Sequence, residues 1–203
     1  MTGAQWTGLG VGAAILLAGG LVLAAPRTEE EMTDDDPTPA LEPDSLALQA
    51  GVTLEVYCLA RAIASEEGGQ PRLHQLAVGC ACVNFARSEF PRLAISDAVI
   101  QLVLGNTGEF GRQGTGGRRV SSARAPIKLQ LTLGGQILAG EVGDPTFGAT
   151  QWDSPKGQRA LMAQGDPLTK KTPQQIADAR MAAGYQLVVV PGIDPDNLRF
   201  WRL

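Results

Sequence analysis

The amino-acid sequence predicts a mainly α domain with one minor β element, set behind an apolar segment of membrane-spanning length and an acidic linker. Three observations carry this prediction. From Leu46 onward, apolar residues recur at helical spacing over most of the chain, as in helices with one buried face. Only YQLVVVP, from Tyr185 to Pro191, has the β-branched character of a strand. Before Leu46 the composition changes twice, from charge-free to strongly acidic.

The stretch from Gly8 to Ala25, GLGVGAAILLAGGLVLAA, runs 18 residues without a charge. As a helix it rises about 27 Å, close to the hydrocarbon thickness of a bilayer. Residues 1–25 are therefore expected to form a transmembrane anchor, with a cleaved secretory signal as the alternative. Val22, Leu23 and Ala24 offer a small-residue cleavage pattern, but residues 1–7 lack the Lys or Arg that opens such a signal. Residues 26–45 follow as linker: PRTEEEMTDDDPTPALEPD combines four prolines with mutual charge repulsion, which favours an extended, solvated chain.

The domain is expected to occupy residues 46–203. Leu48, Val52, Val56, Leu59 and Ile63 place a first helix over 46–65, ended by Gly68 and Gly69. LHQLAVGCACVNFAR, 73–87, is apolar nearly all round and predicts a central helix. A short helix over 96–104 has Ser96 as its cap. GNTGEFGRQGTGGRRVSS then reads as a long irregular loop, a length that often serves function. Helices are expected over 125–139 and over 173–183, the second with a Thr172 cap and proline in its first turn. The tail NLRFWRL should pack Phe200 and Trp201 onto the core.

The net charge of −4 is uneven, because eight acids and no base lie between Glu29 and Asp44. Setting those acids and Arg27 aside from totals of 21 and 17 leaves 13 acids and 16 bases from Ser45 onward. A mildly basic body suits an anionic polymer such as peptidoglycan. Nucleic acid is not expected as a partner, because the only adjacent bases are Arg118–Arg119 and Lys170–Lys171 and no basic stripe forms. Cys58, Cys80 and Cys82 sit among apolar residues and read as buried thiols, with a bridge from Cys58 to one of the others open in an oxidising compartment. With the single His74 they match no metal-ligand spacing, and no cofactor or metal is implied.

Three blocks carry the chemistry: LARAIASEEGGQP from Leu59 to Pro71, AVGCACVNFAR from Ala77 to Arg87, and DPTFGATQWDSP from Asp144 to Pro155. In order and spacing, over about a hundred residues, they resemble the spore-cortex-lytic type of cell-wall hydrolase. That family has an acid closing a first helix before a Gly turn, an Asn late in a second helix, and a DPTGGAT-like loop. The resemblance implies a lysozyme-like, lytic-transglycosylase-like fold and cleavage of peptidoglycan glycan strands, in a bacterial or phage-encoded protein. It implies Glu66 as the catalytic acid and Glu67 as a neighbour without that role.

At a helix C-terminus and against apolar neighbours, Glu66 is expected to hold its proton, as a general acid must. The usual glycosidase scheme needs a second carboxylate. None is evident, since Asp144 reads as structural and Asp153 stands where the family commonly has an aromatic. The preferred mechanism is therefore transglycosylation, in which one Glu serves as acid and then base, with hydrolysis by water as the variant. Asn84, Ser121, Ser122, Thr150, Gln151 and Trp152 are the expected substrate-binding residues. Phe147 and Trp152 are candidate sugar-stacking rings, with core packing as the alternative for both. The domain is expected on the wall side of a membrane held by residues 8–25, or on a virion, or secreted if that segment is removed. The rival reading is a catalytically inactive wall-binding or adaptor module.

Overall fold

The computed structural model describes residues 43–67, 69–104, 125–165 and 170–203. The expected anchor at 8–25, nearly all of the linker, and Ser121 and Ser122 lie outside these residues. Among the described residues there are seven helices and one small sheet, so the chain is mainly α with minor β. No single described helix is long and apolar enough to cross a membrane.

The helices are α1 (Pro43–Ala50), α2 (Leu54–Glu67), α3 (Arg72–Glu89), α4 (Ile95–Leu104), α5 (Lys128–Leu138), α6 (Pro155–Ala163) and α7 (Pro173–Ala182). The strands are β1 (Gln151–Asp153), β2 (Gln186–Val188) and β3 (Arg199–Arg202). The helix expected over 46–65 is two helices. Gly51 adopts φ 68 between them, a left-handed conformation that stops α1, and α2 departs at 89°. The apolar stripe does not continue through the break: Leu48 of α1, expected on the buried face, is 81% exposed, and Ala47 is the buried residue of that helix.

α2 packs against α3, α4 and α5, and α3 also touches α4 and α5. This bundle holds the core, with Leu59, Ile63, Val78, Val99, Leu102 and Leu133 fully or almost fully buried. Two helical glycines set how closely the axes approach. A methyl on Gly134 of α5 would stand 3.0 Å from the Val56 carbonyl oxygen of α2. One on Gly79 of α3 would meet the tips of Ile137 and Ile63 at 2.6 and 2.8 Å. Cys58, Cys80 and Cys82 are buried in the same core as thiols.

The sheet has the order β1-β3-β2, all pairs antiparallel, with Trp152 opposite Phe200 and Leu187 opposite Trp201. Phe200 and Trp201 are buried, as the tail's aromatic content predicts. Asp153, 3% exposed, anchors the sheet to α7. Its carboxylate accepts from Arg180 Nη1 and Arg199 Nη2 at 2.5 Å each and from Trp201 Nε1 at 2.6 Å. Both guanidinium groups also lie 5.4 Å from the Trp201 ring centre. α7 begins on the expected Thr172 cap: its hydroxyl accepts from Gln175 N–H at 3.2 Å, and the Gln175 side chain accepts from Thr172 N–H at 2.8 Å.

Candidate active site

The last turn of α2 ends in two acids that both face inward. Glu66 and Glu67 are each 8% exposed, although charged residues so deeply buried are uncommon without a role or a partner. The α2 apolar stripe brings this about, because Ile63 and Ala62, one turn earlier, are fully buried and the same faces continue into 66 and 67. Burial, and then the adjacent Glu66 carboxylate, push the Glu67 pKa up to about 8. Glu67 therefore retains its proton near neutrality.

His74, in the first turn of α3, brings Nδ1 to 3.8 Å from Glu67 Oε2. Burial lowers its pKa, so the imidazole is neutral where the Glu67 carboxyl is also neutral, and the contact is no ion pair at pH 7. A chain of buried amides braces this end of the bundle. Gln75 Nε2 donates to the Gln70 carbonyl at 2.7 Å, Gln130 Nε2 donates to Gln75 Oε1 at 2.7 Å, and Ile127 N–H donates to Gln130 Oε1 at 2.8 Å. The turn after α2, the start of α3 and the start of α5 are thereby fixed to one another.

The other expected site residues gather elsewhere. Asn84 lies about 15 Å along α3 from His74, at 1.5 Å per residue, and so belongs to the far end of the helix. Its Nδ2 donates to Asp144 Oδ2 at 2.8 Å and to the Ala149 carbonyl at 3.2 Å, which uses both amide hydrogens. Asp144 also accepts from Thr146 N–H, the Thr146 hydroxyl and Gly148 N–H at 2.8, 2.6 and 2.9 Å. Burial alone raises the Asp144 pKa, but these four hydrogen bonds outweigh it and hold the carboxyl below its usual value. Asn84 therefore fastens the loop rather than a substrate.

Three further assignments change. Trp152, expected as a sugar platform, is 3% exposed and sits in the core opposite Phe200, so neither ring face is open to a ligand. Gln151 is buried on the same strand, and Thr150 is half-buried with its N–H donating to the Trp201 carbonyl at 3.0 Å. The GATQWDSP stretch builds β1, the Asp153 cluster and, through Ser154 accepting from Gly157 N–H, the cap of α6. Phe147 is the ring that remains outside, 61% exposed with φ 51.

A nucleophilic Cys58 is also disfavoured, because burial pushes its thiol up to about 12. Among the described residues no group of His, Cys, Asp and Glu has the geometry of a metal site. The burial and raised pKa of Glu67 escaped sequence reasoning, although an adjacent acid pair at the end of an apolar helix is a signal for them. The chain matches no family model, no curated protein and no solved structure.

Proposed function

We propose that the chain cleaves peptidoglycan glycan strands, with Glu66 as acid and then base. The observation that carries this reading is the burial of Glu66 and Glu67 together at the end of α2, where the Glu67 carboxyl beside Glu66 holds its proton at neutral pH. The order of the three sequence blocks supports it as a resemblance. In the preferred reaction, the Glu66 carboxyl gives its proton to the glycosidic oxygen as the bond from C1 of the muramic acid breaks. The 6-hydroxyl of that sugar bonds to C1 and returns a proton to Glu66, leaving a 1,6-anhydro end. Attack by water on C1 is the hydrolytic variant. A second carboxylate across the sugar is not needed, and Asp144 and Asp153 are both engaged in structural bonds.

Incubation of the protein with purified peptidoglycan, followed by analysis of the soluble products, tests the proposal. Anhydro-muropeptides from the parent, and their loss by at least about a hundredfold in Glu66→Gln, are expected. Equal turnover by the two proteins would reject it.

One observation favours a second reading. Gln151, Trp152, Asp153 and Ser154 are all buried, so the loop that carries part of the resemblance offers no open groove to sugar. An inactive wall-binding or adaptor module, tethered to a membrane or virion, fits that packing. Retention on intact wall without any released product is the outcome that selects it.

A further inference from the structure

Phe147 combines two features that oppose each other unless the ring is used. It is the only non-glycine residue with positive φ among the described residues, and the residue is 61% exposed. A left-handed backbone disfavours a bulky side chain, and an exposed ring gains nothing from burial. The loop also holds that conformation firmly. Asp144 receives hydrogen bonds from the backbone on both sides of Phe147, at Thr146 and Gly148, and Asn84 ties Asp144 to α3.

From β3, Arg202 Nη1 donates to the Phe147 carbonyl at 3.1 Å, which fixes an exposed guanidinium beside the loop. Among the described residues no carboxylate lies within ion-pair distance of Arg202. Across the sheet Gln186 is its register partner. A flat ring, a cation and an amide are thus carried on a rigid loop and at the paired ends of β3 and β2. An aromatic face suits the C–H face of a pyranose, and a guanidinium suits a carboxylate.

We propose that Phe147 and Arg202 form a binding platform for a peptide-bearing amino sugar of the glycan strand, the ring taking the sugar face and the guanidinium a carboxylate of its peptide, away from the bond that is cut. The inference rests on the glycan reading above. It adds a second contact, set at the Asn84 end of α3 rather than at Glu66. The strand is held there by a sugar that does not react.

The test uses the full chain carrying Glu66→Gln, so that retention on purified wall involves no turnover. Soluble muropeptide and a neutral N-acetylglucosamine oligomer serve as competitors. Phe147→Gly is expected to weaken retention about tenfold. The same change should raise Tm by about 2–4 °C, because glycine accepts the left-handed backbone without strain. Arg202→Gln is expected to remove the preference for muropeptide over the neutral oligomer. Unchanged retention in Phe147→Gly, equal competition by the two oligomers, or no retention of the parent overturns the platform. If both variants behave as expected but the chain with Glu66 intact releases no anhydro product, the cleavage proposal fails and the platform stands.

Discussion

At the residue scale, Glu67 governs how the fold responds to pH. Its carboxyl has a folded pKa of about 8 against an ordinary 4.5, so between those values the folded chain holds a proton that the unfolded chain has released. The stability that this group contributes is therefore fully present below pH 4.5 and declines as pH rises towards 8. Replacing Glu67 by Gln should flatten that decline, with a gain on the order of a few kcal/mol at the alkaline end, read by urea denaturation across this range. A profile that keeps its slope in the variant would show that another group titrates. Asp144 has the opposite sign. Its lowered pKa makes the loop most stable above its ordinary value and weakens it as acid protonates the carboxylate.

At the element scale, adjacent glycines on α5 should respond oppositely to one added methyl. Gly135 has nothing within 4 Å of the new atom, so Gly135→Ala should stabilise by about 0.5–1 kcal/mol through helix propensity. Gly134 faces the backbone of α2, with the Val56 oxygen at 3.0 Å, and Gly134→Ala should cost about 1–3 kcal/mol as the helices separate. Thermal melting of the two variants checks the pair.

These helices were legible in the sequence because each repeats its apolar face locally. The break at Gly51 was not, since one glycine within a continuing apolar period looks tolerable. α6 spans nine residues and buries only Pro155 and Gln158, so its apolar face is too short and too little covered to stand out as a core helix. β1 was read as a ligand loop because three residues show no alternation until β3 pairs with them. The site divides in the same way. Glu66 could be placed from its own helix, whereas the bond from Asn84 to Asp144 spans 60 positions and leaves no local trace.

At the scale of the whole molecule, Asp153 joins β1, β3 and α7 through one buried carboxylate. Removing its charge leaves Arg180 and Arg199 buried beside each other, and a buried pair broken from one side is strongly destabilising. Asp153→Asn should lower the unfolding free energy by about 3–5 kcal/mol in urea. A loss below about 1 kcal/mol, typical of exposed pairs, would mean that water enters the cluster.

The strand order β1-β3-β2 also bears on biosynthesis. Translation proceeds from the N-terminus, and the middle strand is the last of the three to be made. Until Arg199–Arg202 leave the ribosome, neither outer strand has a neighbour to bond, and Trp152 has no Phe200 to cover it. The helical bundle can assemble on the nascent chain, but the sheet has to close after it. A ribosome paused a few codons early would therefore present chaperones and proteases with an otherwise finished bundle whose side is open.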